Sequence, residues 1–446
     1  MKAVKPAHLA FLAIPILAAF TVLPAWRVQL FPDFATYGLS RLTLVGIMVA
    51  LFFCLSPDVD IDLGIGETKP VKTGYGDPLL TLRAMACSIV MIGHGTTVVF
   101  PPSDLPHVAA DSRSFWLLMP MPWAGVWIFF TLSGYLMGKG FFTGRYHFSR
   151  KSIVHFYRNR LLRIVPLYYF ALLTAVLFIH PEVLRFETLP YLISTFLFDT
   201  EGTRPGTVIG LLWSVATEMQ FYLMVPLLAL ALSKAIPRVG AVAAVAAIMF
   251  VGLGYRTAAV FFAVPDDRAW NVEIYSPLLG NLDMFLLGMV TSWTVQRYPL
   301  RWPRLGYGFL FSGLIYVASA WWWTAWLPDP RQPTINYAIR YFAPTAFGLA
   351  TAAAIIMFEH AARQSSDVVS RGVIRATQML GTLTFAIYIW HEPVFVSLRR
   401  LYPSPMTAMD TLSAMALAIP AALLFAWITW LAIEKPFDDR RRFSAR

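Results

Sequence analysis

Two basic residues, Arg83 and His94, stand eleven positions apart in the otherwise apolar stretch LRAMACSIVMIGHG (82–95). At 100° per residue the eleven steps come to about 1100°, roughly 20° from three full turns, so both project from one helix face about 16 Å apart. An imidazole can serve as a general acid or base, or less often as a nucleophile. A guanidinium grips carboxylates and phosphates at two points. Ionisable groups at membrane depth are costly, and where they occur they usually serve a function. Glu218 in LLWSVATEMQFYLMVP, Asp283 in GNLDMFLLG and His391 in YIWHEPVF fall at comparable depths. They are expected to converge with His94 on one polar chamber in the outer half of the bilayer, with Pro393 breaking the helix beside His391. Arg160 and Arg163, in RNRLLRIVPLYYF (158–170), share a helix face at i, i+3 where a span enters the membrane. That pair suits a phosphate grip, or simple anchoring on the positive side. Each residue alone also has a structural reading: a membrane histidine as an interhelical hydrogen bond, Glu218 paired with an arginine of a neighbouring helix, Asp283 as a packing group.

The elements that must carry these residues are membrane helices. The chain has 446 residues, 57% hydrophobic and 15% aromatic, and only 14% charged, where a soluble domain carries about 25% charged residues. Its mean hydropathy is +0.59. Twelve stretches approach the ~20 residues that cross a bilayer: 7–25, 41–55, 78–100, 114–138, 160–180, 207–232, 239–263, 275–295, 305–327, 337–358, 378–400 and 409–434. The fold class predicted is an all-α polytopic membrane bundle: two extra N-terminal spans before a ten-helix core, with both termini cytoplasmic. With the N-terminus inside, the basic segments 139–160, 297–304 and 363–375 and the tail DDRRRFSAR all fall on the cytoplasmic side. The net charge of +11 therefore reads as topology, and nucleic acid is not an expected partner.

The N-terminal run MKAVKPAHLAFLAIPILAAF lacks a small-residue cleavage site and reads as a retained span. The two cysteines, Cys54 and Cys87, lie within predicted spans and offer neither a disulfide framework nor a metal cluster. The aromatic run at 321–323 reads as an interface belt. No internal repeat appears, and no soluble stretch is long enough to bury a core of its own. The organisation expected is a two-span segment with linker over 1–77, a membrane domain over 78–437 and a basic tail over 438–446.

Seven fragments, in order across 82–437, resemble the membrane acyltransferase family 3, integral membrane enzymes that O-acylate sugars and other hydroxylated acceptors. They are Arg83 with His94, GVWIFFTLSGYLMG (125–138), RNRLLRIVPLYY, LLWSVATEMQFYLMVP, NLDMFLLGM, LGTLTFAIYIWHEPV and LAIEKPF. The N-terminal 77 residues have no counterpart in the family pattern and suggest a site for a partner protein or acceptor.

The resemblance implies a cytoplasmic acyl-CoA donor, acetyl-CoA first among them, and an acceptor hydroxyl on a glycan beyond the inner membrane. No tightly bound cofactor and no metal is implied. In this reading the donor phosphates meet Arg160 and Arg163 and the pantetheine arm runs along the Arg83 face, past Ser133 and Gly134. The thioester then lies near His94. His94 is the expected general base, Glu218 orients or polarises an imidazole or binds the acceptor, and His391, Trp213 and Asp283 belong to the acceptor side. Glu434 is expected to be a structural contact. The competing reading is a transporter or flippase for a lipid-linked or anionic substrate, although the sequence lacks two related halves with matching broken helices.

Overall fold

A computed structural model describes residues 77–103, 115–179, 184, 189–198, 210–263, 274–298, 305–325, 333–361 and 368–438. The predicted spans at 7–25 and 41–55, Cys54 and the tail beyond 438 lie outside them. Among the described residues the chain is helical and contains no strand, as a bilayer requires of a chain that must satisfy its own backbone. The helices are α1 (Pro78–His94), α2 (Pro122–Phe142), α3 (Arg150–Thr174), α4 (Leu189–Phe196), α5 (Leu212–Val239), α6 (Ala241–Ala263), α7 (Leu278–Arg297), α8 (Leu305–Ala325), α9 (Pro333–Ala361), α10 (Val368–Arg399) and α11 (Ala408–Thr429). Each of the ten predicted spans from 78 onward coincides with one of them, and α4 is a short extra helix. Among the described residues, eight helices are long and apolar enough to cross a membrane.

Local sequence explains several of the ends. Asp77 accepts a hydrogen bond from the Leu79 amide at 3.0 Å, and Pro78 follows it at the first helical position, where its missing N–H costs nothing. Thr407 and Asp410 exchange side-chain bonds in a capping box that starts α11. Two boundaries depart from expectation. α3 begins at Arg150, ten residues before the span predicted at 160–180, because the polar half before the apolar stretch is helical too, so Arg160 and Arg163 stand within the helix and not at its first turn. α10 runs unbroken through Pro393 to Arg399, so the predicted helix break is absent; packed neighbours tolerate the single lost N–H.

Close backbone approach sets the core. A Cβ on Gly134 of α2 would stand 2.0 Å from the Phe285 carbonyl oxygen of α7, and one on Gly288 would stand 2.0 Å from the Thr131 oxygen. Small residues thus let α2 and α7 touch backbone to backbone, where dispersion and weak polar contacts replace the missing hydrophobic drive. Phe285 stacks between Phe130 and Phe221, with centroids 4.6 and 4.1 Å away. Helix α1 is gripped in the same way. A Cβ on Gly125 of α2 would stand 2.5 Å from the Ala86 carbonyl oxygen, and one on Gly381 of α10 would stand 2.3 Å from that of Leu80. The helix bearing Arg83 and His94 therefore lies between α2 and α10, while α6 and α11 present mostly exposed apolar faces.

Candidate active site

His94 closes α1, and the chain continues as one π turn, Gly95–Val99. Such turns often mark functional positions. Nδ1 of His94 lies 3.1 Å from Nε2 of His391 on α10. Centroids 5.3 Å apart with planes 26° from parallel place the two rings edge to edge, so the contact is an in-plane hydrogen bond and not a face-to-face stack. His391 is fully buried. Its Nδ1 is 3.0 Å from the Ile387 carbonyl oxygen, and the rings of Tyr388 and Phe395 meet it edge-on. The next residue, Glu392, turns the other way and accepts the Leu211 amide at 3.2 Å where α5 begins. The His-Glu pair thus joins α10 to α1 on one side and to α5 on the other.

A second polar cluster surrounds Glu218, one to two turns into α5. Ser133 of α2 donates to Glu218 Oε1 at 2.6 Å, and Tyr222 donates to the same oxygen at 2.5 Å. The Arg160 guanidinium lies over the rings of Tyr222 and Phe156, 5.8 and 6.0 Å from their centroids, and its buried Nε has no hydrogen-bond partner. Arg83 lies within electrostatic reach of Arg163, Glu218 and Tyr222 in this cluster, and of Asp77 at the start of its own helix. Arg83 and Arg160 make no ion pair with the described residues. Arg163 does: its Nη1 reaches Glu434 Oε2 at 2.9 Å and Asp438 Oδ2 at 3.1 Å.

The expected single chamber is therefore divided. The two histidines meet at one end of α1, while Glu218, Ser133, Arg83 and Arg160 gather toward the other. Glu218 bonds neither imidazole, and both hydroxyls donate to its Oε1; the group that touches His94 is His391. Asp283 is elsewhere again. Its Oδ1 accepts Arg256 Nη2 at 2.7 Å and its Oδ2 accepts Thr345 at 2.8 Å, in a pair almost wholly shielded from solvent between α6, α7 and α9. With both oxygens used internally, Asp283 is not placed to bind an acceptor. Arg163 is likewise occupied by two carboxylates, one of them the Glu434 expected to be structural.

Trp213 packs on Tyr275 at 4.4 Å and meets Phe130 edge-on, and Tyr275 also touches Trp123, the second residue of α2. That aromatic group lies at the ends of α2, α5 and α7. Pro122 of α2 crowds Gly93, the neighbour of His94, so α2 begins beside the histidine end of α1. Sequence reasoning overlooked Tyr222, although it sits one turn from Glu218 in the same motif, and Arg256, the lone arginine in the middle of its span. Cys87 is buried, with its thiol near the Thr384 carbonyl.

The family described as the acyltransferase domain matches residues 80–431. The peptidoglycan O-acetyltransferase OatA of Listeria monocytogenes is 24% identical over 337 residues, covering 70% of this chain and 50% of the relative. The O-acetyltransferase OatA of Staphylococcus aureus is 20% identical over 332 residues, covering 71% and 52%. The chain spans about half the length of these curated relatives. No solved structure matches it significantly.

Proposed function

The chain belongs to this acyltransferase family, and from that premise we propose that it moves an acetyl group from cytoplasmic acetyl-CoA to a hydroxyl of an exported or cell-envelope glycan. The observation that carries the proposal is the division of labour along α1. Two guanidiniums that make no ion pair among the described residues, Arg83 and Arg160, stand at one end beside Glu218 and Tyr222, and a histidine held by a second histidine stands about three helical turns away at the other. Guanidiniums in a membrane interior ask for an anion, and donor phosphates supply it with the two-point geometry that arginine favours. The donor arm then runs along the α1 face, beside Ser133, toward His94. Arg163 is already neutralised through its Nη1 by Glu434 and Asp438, so Arg83 and Arg160 carry the donor role.

At the far end His94 acts as general base. Its free ring nitrogen takes the proton as the acceptor oxygen attacks the thioester carbonyl, the C–O bond forms, and the C–S bond breaks. The CoA thiolate leaves and takes up a proton. A base so placed contributes about 10² to 10⁴ in rate. The acceptor side of the reading is the aromatic group of Trp123, Trp213 and Tyr275, which pack on one another at the ends of α2, α5 and α7. In this orientation the enzyme is a multi-pass protein of the cytoplasmic membrane, and residues 1–77 are available to a partner protein.

Proton NMR of surface glycans, before and after mild base, tests the reading in parent, deletion and deletion complemented with His94→Ala. Esters lost on deletion and not restored by the variant are expected. Equal esters in all three strains overturn the glycan acceptor, and esters restored by His94→Ala overturn the base.

A further inference from the structure

We infer that His391 is the positioning residue of the reaction: it fixes the tautomer of His94 so that the unprotonated Nε2 faces the acceptor. The inference rests on the reading of His94 as base and adds a second residue to it. Three contacts carry it. Nδ1 of His391 faces the Ile387 carbonyl oxygen at 3.0 Å. A carbonyl oxygen only accepts, so this nitrogen holds the proton, and in a neutral imidazole the other nitrogen, Nε2, is then bare. Nε2 faces Nδ1 of His94 at 3.1 Å and can only accept, so Nδ1 of His94 carries the proton and donates it. One proton position is thus set by the backbone of α10 and passed on to the next ring. What remains on His94 is a bare Nε2, the form a general base needs.

The surroundings hold the pair in place. His391 is wholly buried, with Tyr388 and Phe395 edge-on to its ring. Gly95, beside His94, packs against the Met415 side chain of α11 and the Phe395 ring of α10, and a Cβ there would crowd both. With the rings edge to edge, the N–H of one points into the lone pair of the other. When Nε2 of His94 takes the acceptor proton, the resulting cation keeps its Nδ1–H bond to His391, so charge develops without rearrangement. Glu218, the residue the motif order suggested for this task, bonds to neither ring.

Two variants of His391 separate positioning from packing. Leu fills much of the space and accepts no hydrogen bond, whereas the Gln carbonyl can still accept from Nδ1 of His94. The full chain, with ¹⁵N-labelled histidine in lipid nanodiscs, gives ring ¹H–¹⁵N correlations that report which nitrogen is protonated, and His94→Gln assigns the signal. Wild type and His391→Gln are expected to hold the proton of His94 on Nδ1, and His391→Leu to lose that preference. In cells, ester content should fall about tenfold or more in His391→Leu and be largely recovered in His391→Gln. A wild-type His94 protonated on Nε2, or a tautomer unchanged in His391→Leu, overturns the inference. Undiminished esters in His94→Gln instead overturn the base itself, an outcome the NMR arm keeps distinct.

Discussion

Tyr222 and Glu218, one turn apart on α5, share a 2.5 Å hydrogen bond, and Ser133 from α2 completes the bond set at the same carboxylate oxygen. The arrangement anchors a negative charge between two helices and beside Arg83. Replacing Glu218 with Leu leaves Tyr222 without its acceptor and Ser133 with only its 3.2 Å contact to the Tyr222 hydroxyl. A buried hydroxyl stranded in this way destabilises by about 1–3 kcal/mol. The expected result is a lower thermal midpoint in detergent for Glu218→Leu than for Glu218→Gln, whose amide oxygen still accepts. Equal midpoints would mean that the shared oxygen contributes little.

Arg83 acts on the donor at a distance from the chemistry. Arg83→Gln is therefore expected to raise the KM for acetyl-CoA about tenfold or more, with kcat changed less. Arg83→Lys should recover only part of it, since an ammonium lacks the planar two-point fork. Steady-state turnover of purified enzyme decides this, and a fall in kcat with unchanged KM would move Arg83 from donor binding to the reacting centre.

The Arg256–Asp283 pair is almost wholly shielded from solvent. Asp283→Ala strands a buried guanidinium, a change that typically destabilises by about 3–5 kcal/mol. The double variant Asp283→Leu with Arg256→Met removes both charges and should fold better than Asp283→Ala alone. Because the pair stands apart from both histidines, the double variant should also keep its kcat. Unfolding curves in detergent and turnover per folded molecule check both halves; a large loss of kcat in well-folded protein would return Asp283 to the acceptor side.

Gly134 leaves no room for a methyl group against the Phe285 backbone. Gly134→Ala forces α2 and α7 apart, and overpacking of this kind costs about 1–3 kcal/mol. The residue beside it, Ser133, is displaced from Glu218 by the same movement. Reduced yield of folded protein and a lower thermal midpoint are expected, whereas Gly306→Ala, with open space around its Cβ, should be silent in both assays.

The sequence alone was enough to place ten of the helices and to rank Arg83 and His94 first. Both inferences rest on local quantities: apolar length against bilayer thickness, and the 100° step that puts residues eleven apart on one face. Residues on different helices were another matter. Depth along a span is legible in sequence, but rotation about the helix axis relative to a neighbour is set by packing. Glu218, Asp283 and His391 therefore looked equivalent although each went to a different partner. Asp283 faces Arg256 because small residues bring α6, α7 and α9 together, and Glu218 faces Ser133 because Gly134 lets α2 lie against the core. His391 reaches His94 because Gly381 allows α10 to close on α1. Composition and periodicity decided that a helical membrane bundle forms and which residues are expensive to bury. Only the tertiary contacts decided which of those residues meet, because a hydrogen bond depends on ångström-scale placement that no single helix contains.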